Sequence, residues 1–253
     1  MVFADAHVHL AMCGRGAFCQ GHDFVQCTCA HSVAEWQAQE SISQAETARD
    51  GGLEVFSAFG IHPQNPLVEN AAFLESLLAQ KKVCAIGECG FDFYTPDFRR
   101  NRLAQEQAWA VQLELSRRFG VPVVVHNRKA LDLMFRDAAV LKTLPAVVFH
   151  SFSFGPNEAR SLLSHGINAF FSFGKPLLNG SRKARACVAS LELSRLLLET
   201  DAPYQSLRCE ARTEPEDIIA VYEEAASIRN MQPGLLAGAL ERTFRGVFTP
   251  RKD

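Results

Sequence analysis

The amino-acid sequence predicts an α/β fold, a TIM-type (β/α)8 barrel, on three observations. Short apolar runs rich in β-branched residues recur eight times, and stretches with helical periodicity separate most of them. Many of these runs are apolar at nearly every position, which is typical of parallel strands covered by helices. The sequence contains no Gly-x-Gly-x-x-Gly and no phosphate-loop motif, so nothing favours an open nucleotide-binding sheet over a closed barrel of eight units.

The predicted strands and helices alternate along the chain. Strands are expected at residues 2–8, 24–30, 53–60, 83–89, 121–126, 146–151, 167–173 and 195–200. Helices are expected at residues 33–49, 68–81, 98–119, 128–142, 156–165, 181–191, 215–230 and 233–246. Ser32 is an expected helix N-cap, with Glu35 at the third helical position, and Gly120 and Gly166 are expected to end the helices before them. Segment 11–23 is too irregular for a helix, so we expect a somewhat irregular barrel with a shortened first βα unit.

The composition predicts one globular domain over residues 1–253, with 47% hydrophobic and 21% charged residues. The net charge of −2 gives no global basic field for stable binding of DNA or a membrane, although a local basic rim could contact nucleic acid briefly. The first residues lack the features of a signal peptide, and no apolar run approaches the roughly 18 residues of a membrane span. We therefore expect a cytoplasmic protein with no membrane contact and no obligate protein partner.

The eight cysteines are expected to stay reduced in that compartment. Four of them lie between Cys13 and Cys29, which raises the question of a structural zinc site. The spacing contains no Cys-x-x-Cys pair, and Cys27 and Cys29 are explained as alternating residues of a strand. We therefore favour reduced thiols over an additional metal site.

Polar side chains stand at the carboxyl ends of the predicted strands, where apolar packing gives no reason for them. They are His7 and His9 on the first strand, His62 after the third, Glu88 on the fourth, His126 and His150 at the ends of the fifth and sixth, and Asp201 after the eighth. In a barrel these ends meet at one rim, which is where such folds place their chemistry. His22, His31 and His165 fall outside these positions and are interpreted as structural.

With His62 set aside, the four imidazoles and two carboxylates exceed what one catalytic zinc needs, which is typically three protein ligands and a water. We predict two divalent cations (Mg, Zn or Mn) about 3.5–4 Å apart. Glu88 is the expected bridge, with His7, His9 and Asp201 at one ion and His126 and His150 at the other. Such a pair would activate a water and polarise the scissile bond, and Asp201 is also expected to act as a general base.

The motifs around these residues resemble, in order, those of the TatD-type metal-dependent deoxyribonucleases of the amidohydrolase superfamily. They are Asp5-Ala6-His7-Val8-His9, Gly60-Ile61-His62-Pro63, Ala85-Ile86-Gly87-Glu88-Cys89-Gly90-Phe91-Asp92, Pro122-Val123-Val124-Val125-His126-Asn127-Arg128, His150-Ser151-Phe152-Ser153 and Glu199-Thr200-Asp201-Ala202-Pro203-Tyr204. The similarity runs from residue 1 to about 205. It implies a TIM-barrel hydrolase that cleaves DNA with Mg²⁺ or another divalent ion, and it places the same six residues on the family's metal-binding pattern.

The resemblance adds three candidate residues near the substrate. His62 matches a family histidine beside the substrate, Asp92 could support a ligand from behind, and Arg128 could clamp a phosphate. The chain departs from the family at Phe91, at Ser151 and in segment 207–215. Because that last segment shapes the pocket, the substrate is the property that the family resemblance predicts least.

Three functions remain open from the sequence. The first is a phosphodiesterase acting transiently on DNA, supported by basic residues that are mostly explained as helix-face charges: Arg99, Arg100, Arg102, Arg128, Arg182, Lys183 and Arg185. The second is a small-molecule ester or amide hydrolase on the same two-metal barrel, since a fold does not determine a substrate. The third is a non-catalytic scaffold, which the complete ligand set disfavours.

Overall fold

The computed structural model describes residues 1–47 and 52–249 and contains one sheet of eight parallel strands that follow each other in chain order. The strands are β1 (Val2–Val8), β2 (Asp23–Ala30), β3 (Leu53–Phe59), β4 (Ala85–Asp92), β5 (Val123–Arg128), β6 (Val147–Phe149), β7 (Ala169–Phe173) and β8 (Leu196–Leu198). The predicted barrel is therefore confirmed. The largest shift is in β4, which begins two residues later than expected and continues to Asp92.

Eleven α-helices lie among the described residues. They are α1 (Leu10–Cys13), α2 (Val33–Thr47), α3 (Ala71–Ala79), α4 (Pro96–Arg100), α5 (Arg102–Phe119), α6 (Leu131–Arg136), α7 (Ala138–Leu141), α8 (Pro156–Ser164), α9 (Arg182–Ser190), α10 (Ile218–Arg229) and α11 (Pro233–Phe248). The first βα unit is shortened as expected, because only the four residues of α1 stand between β1 and an irregular segment.

Two of the expected helices are broken into shorter ones. The helix expected at 98–119 is divided at Asn101, and it begins earlier because Thr95 caps α4 by accepting from the backbone N–H of Phe98. The helix expected at 128–142 is divided at Asp137. Residues 48 and 49 of the helix expected at 33–49 lie outside the described residues. Its predicted N-cap is present, because the backbone N–H of Glu35 donates to Ser32 Oγ at 3.2 Å.

The barrel interior is filled by small side chains and is sealed at the amino ends of the strands. Ala4, Ala6 and Ala85 pack there. Phe244 and Phe248 of α11 join this cluster and cover the end of the barrel at which the strands begin. The carboxyl ends of the strands are left free to form a site. None of the helices in the described ranges is long and apolar enough to cross a membrane.

The first and last strands are joined by Asp5, a fully buried side chain. Its carboxylate accepts hydrogen bonds from the backbone N–H of Thr200 at 3.0 Å and from Thr200 Oγ1 at 2.6 Å. Burial raises the pKa of Asp5 to about 7, although the hydrogen bonds from Thr200 and His7 oppose the rise. Beyond Asp5, the N–H of Asp201 donates to the carbonyl of His7 at 2.9 Å. These hydrogen bonds between the first strand and the end of the last strand place residues 7 and 201 side by side.

Two glycines let β4 approach β5 closely on either side of Glu88. A Cβ at Gly87 would lie 2.5 Å from the Cβ of Val124 and 2.9 Å from its carbonyl oxygen. Gly90 has a φ of +129°, and a Cβ there would lie 2.3 Å from the carbonyl oxygen of His126. Larger residues at these positions would push the two strands apart.

We expect Gly87→Ala to lower the free energy of unfolding by about 1–3 kcal/mol, because the added methyl overpacks a rigid strand contact. Urea unfolding followed by circular dichroism measures the change. Gly246→Ala is the matched control, since position 246 lies in α11 with nothing within 4 Å of an added Cβ. That control should be neutral or slightly stabilising. Equal stability of Gly87→Ala and the wild type would contradict the close-approach argument.

Candidate metal centre

A cavity of about 700 Å³ opens at the carboxyl ends of the strands. Its lining includes five of the six candidate ligands, namely His9, Glu88, His126, His150 and Asp201. His7, the sixth, is fully buried beside them. Of the residues expected near the substrate, His62 and Arg128 line the cavity, whereas Asp92 lies behind it. The structure therefore brings together at one rim residues that are nearly 200 positions apart in the chain.

One oxygen of Glu88 faces the side chains from the first and last strands. Glu88 Oε1 lies 3.4 Å from His7 Nε2 and 3.5 Å from His9 Nε2. Asp201 Oδ1 completes this group at 3.5 Å from His7 Nε2 and 3.3 Å from His9 Nε2. The two histidine nitrogens are 3.1 Å apart. Four donor atoms thus converge on one side of the central carboxylate.

The other oxygen of Glu88 faces a separate set of imidazoles. Glu88 Oε2 lies 2.5 Å from His150 Nε2 and 3.1 Å from His126 Nδ1. These two nitrogens are 3.2 Å from each other. The nearest imidazoles therefore differ between the two oxygens, although the ligand atoms of His7, Glu88 and His150 also lie within 4.8 Å of one another.

Several candidate groups are held by neighbours that fix their orientation. His126 Nε2 lies 3.0 Å from Asp92 Oδ2, which leaves Nδ1 to face the site. Asp92 is itself held by Gln64 Nε2 at 2.8 Å. On the far side, Asp201 Oδ2 accepts from Gln205 Nε2 at 2.7 Å. Preorganisation of this kind lowers the entropic cost of binding an ion.

The electrostatics of the site keep its carboxylates ionised. Burial alone would raise the pKa of Glu88, but the surrounding imidazoles outweigh it and hold that pKa well below its usual range. Asp201 behaves in the same way, since burial is opposed by the hydrogen bond from His9 and the charge of His7. Burial would lower the pKa of His7, yet the carboxylates raise it to about 10, and that of His126 rises to about 9 for the same reason.

His62 differs from the other histidines in its protonation state. The backbone N–H of Gln64 donates to His62 Nδ1 at 3.2 Å, so the neutral ring carries its proton on Nε2. Burial lowers the pKa of His62 to about 4 despite the opposing charge of Glu88. His62 Nε2 is 3.7 Å from Glu88 Oε2. His62 therefore presents an N–H donor to the cavity rather than a free ligand atom.

His31 was expected to lie off the rim, and this expectation is wrong. His31 directly follows Ala30, the last residue of β2, and it lines the cavity. Its Nε2 lies 3.1 Å from Glu88 Oε1, and burial lowers its pKa. The signal was available in the sequence, because position 31 stands at the same strand-end level as the other histidines. His22 packs against Phe3 and His165 bonds to the Ser161 carbonyl, away from this cavity.

Several groups of side chains have ligand atoms within 4.8 Å of one another. They are His7, His9 and Asp201; His7, Glu88 and His150; His9, His31 and Glu88; and His62, Glu88 and His126. No cysteine among residues 1–47 and 52–249 belongs to such a group, and all eight cysteines are free thiols. Imidazole nitrogens and carboxylate oxygens are suitable ligands for zinc and related divalent ions. The donor set therefore fits divalent metal ions at this rim.

The basic residues suggested for DNA binding separate into two classes. Six lie on helices α4, α5 and α9: Arg99, Arg100, Arg102, Arg182, Lys183 and Arg185. Of these, Arg100 pairs with Asp97, Arg102 with Glu106 and Arg185 with Glu224. Arg128 differs because it lines the cavity at the end of β5. Local positive charge at the site thus comes from a strand end rather than from the helix faces.

Comparison with known proteins finds relatives that match most of the chain. A family model described as TatD related DNase matches residues 4–249. A metal-dependent hydrolase TatD of Mycobacterium tuberculosis is 32% identical over 214 residues, covering 79% of each chain. A 3'-5' ssDNA/RNA exonuclease TatD of Pantoea ananatis is 32% identical over 228 residues, covering 84% of each chain.

Solved structures share the fold at lower identity. The TatD homolog YJJV of Escherichia coli superposes with a TM-score of 0.78 at 23% identity and 98% coverage of both chains. A TatD family hydrolase of Entamoeba histolytica gives a TM-score of 0.79 at 18% identity, also with 98% coverage of both chains. The family model spans nearly the whole described chain, and the strand-end motifs converge at one rim. The chain belongs to the family of TatD-related DNases.

Proposed function

We propose that this protein hydrolyses phosphodiester bonds of single-stranded nucleic acid at a centre of two divalent ions bridged by Glu88. One observation carries the proposal: each carboxylate oxygen of Glu88 faces its own set of imidazole nitrogens. A carboxylate shared in this way can bridge the two ions of a two-ion hydrolytic site. The relatives named as ssDNA/RNA exonucleases support the substrate class.

The proposed ligands divide by their distances. His7, His9 and Asp201 would hold one ion with Glu88 Oε1, and His126 and His150 would hold the other with Oε2. Mg²⁺ prefers oxygen ligands, whereas imidazole nitrogens suit zinc, so this nitrogen-rich set favours zinc over magnesium. The single-domain organisation over residues 1–253 and the cytoplasmic location remain predictions from the sequence.

When bound, the ions would lower the pKa of a water and polarise a phosphoryl oxygen. Asp201 is ionised and is held by Gln205, so it can accept the proton of the attacking water and return it to the leaving oxygen. His62 Nε2–H can donate a hydrogen bond to a non-bridging phosphate oxygen. Arg128, at the cavity mouth, can pair with the phosphate.

We expect Glu88→Gln to lose both metal and activity, because an amide cannot bridge two cations with negatively charged oxygens. Inductively coupled plasma mass spectrometry should find two ions per chain in the wild type and fewer than one in the variant. Activity should fall by more than the roughly 10–100-fold that loss of an outer-sphere partner costs. Glu114→Gln is the control, since this exposed residue pairs with Arg117 on a helix face. Wild-type metal content in Glu88→Gln would rule out the bridge.

Metal binding should release protons and strengthen with pH. In the metal-free protein the pKa values of His7 and His126 are raised to about 10 and about 9, so both rings are protonated at pH 7. A cation must displace these protons, and its apparent affinity should therefore rise between pH 6 and pH 9. Isothermal titration calorimetry in buffers of different ionisation enthalpy measures the protons released. A pH-independent affinity with no proton release would contradict the ligand assignment of these histidines.

The substrate class is tested by offering the metal-loaded protein single-stranded DNA, bis(p-nitrophenyl) phosphate and a panel of carboxylic esters and amides. The proposal predicts turnover of the first two and no comparable turnover of the panel, since His62 and Arg128 offer donors suited to phosphate oxygens. Hydrolysis of the esters with DNA left intact would favour the small-molecule hydrolase instead. No turnover of any substrate by protein with full metal content would favour the scaffold.

A further inference from the structure

An exposed aromatic ring flanked by two cations stands beside the metal centre, and the mechanism above does not use it. We call Tyr94, Arg128 and Lys129 the Tyr94 cluster. Tyr94 lies just beyond the end of β4, and Arg128 and Lys129 stand at the end of the neighbouring β5. Arg128 also lines the cavity that contains Glu88. The cluster is therefore continuous with the site along the same rim.

The Tyr94 ring contacts both cationic side chains. Arg128 Cζ lies 4.1 Å and Lys129 Nζ 4.5 Å from the centroid of the Tyr94 ring. Lys129 has a left-handed backbone with a φ of 56°, which few non-glycine residues adopt. The backbone N–H of Tyr94 donates to Asp92 Oδ1 at 2.8 Å, which ties the cluster to the partner of His126. Despite these contacts, Tyr94 is 54% exposed.

The positive charge of the cluster is only weakly balanced. Within the described residues, the sole carboxylate within 4 Å of Arg128 is Asp92, at 3.7 Å, and Lys129 has none. Asp92 is buried and is already engaged by His126 and Gln64. Three helix-face arginines differ, because Arg100, Arg102 and Arg185 each pair with a carboxylate on a helix. The positive charge of the cluster at the mouth of the cavity is therefore only partly neutralised by the described carboxylates.

We propose that the Tyr94 cluster is a second subsite, which binds the sugar–phosphate of the nucleotide next to the one at the Glu88 centre. This inference rests on the proposed function and deepens it by assigning the binding of an extended strand. Phosphate pairs with guanidinium and ammonium groups, and exposed aromatic rings with adjacent cations are the elements by which proteins follow single strands. Tyr94 acts here by holding the two cations over its ring at the cavity edge.

The subsite is tested by comparing a long with a short substrate. Tyr94→Leu and Lys129→Gln should each raise KM for a single-stranded oligodeoxynucleotide by about tenfold. Lys129→Gln should leave the turnover of bis(p-nitrophenyl) phosphate unchanged, because the mechanism above places Arg128 and not Lys129 at the phosphate of the Glu88 centre. Tyr94→Phe is the matched control, since it keeps the ring face and should behave as the wild type. Thermal unfolding verifies that each variant is folded.

Binding measured without turnover separates this inference from the proposed function. In the Glu88→Gln background, fluorescence anisotropy of labelled single-stranded DNA should give a plot of log affinity against log salt whose slope becomes shallower by about 0.7 with Lys129→Gln.

If the wild type cleaves both substrates and the variants leave KM and the salt slope unchanged, the subsite is wrong and the proposed function stands. Equal loss on both substrates would also overturn it, because the cluster would then only support the centre. If the wild type cleaves neither substrate, the proposed function fails and the inference falls with it.

Discussion

The buried carboxylate of Glu88 is the constraint on which the site depends. A lone carboxylate at this depth would be costly, since burial removes its hydration. The structure offsets this cost with imidazole nitrogens on both oxygens, contributed by strands that are far apart in the chain. The same arrangement that makes the buried charge tolerable also places it where two cations could share it. Stability of the metal-free protein and capacity for metal are therefore two consequences of one geometry.

The barrel produces this geometry in two ways. It brings the carboxyl ends of the strands together, and it holds neighbouring strands close to each other. Small side chains inside the barrel and the cover of α11 close one end, so the polar groups meet at the other. Asp5 joins the first and last strands and sets His7 beside Asp201. Gly87 and Gly90 let β4 approach β5, which brings Glu88 towards His126. Asp92 then orients the ring of His126 from behind. Ligand placement is thus a property of the whole barrel rather than of one loop.

The sequence predicted the fold and most of the rim because both follow from periodic patterns. Alternating strands and helices indicate a parallel barrel, and a polar residue after an apolar run indicates a strand end. His31 was missed because it stands one residue beyond a strand of ordinary composition. The tautomer of His62 depends on a hydrogen bond from the backbone of Gln64, which no sequence pattern shows. The early start of α4 follows from the local cap at Thr95. The Tyr94 cluster could not be predicted from the sequence, because it depends on contacts between side chains at the ends of two different strands.

The most direct test of the account is a crystal structure of the protein loaded with zinc or manganese, with anomalous scattering used to locate the ions. The account predicts two peaks about 3.5–4 Å apart on either side of Glu88, one near each carboxylate oxygen. It also predicts that His126 binds through Nδ1, with Asp92 on its other nitrogen. A single peak remote from Glu88, or a Glu88 side chain turned away from both peaks, would contradict it.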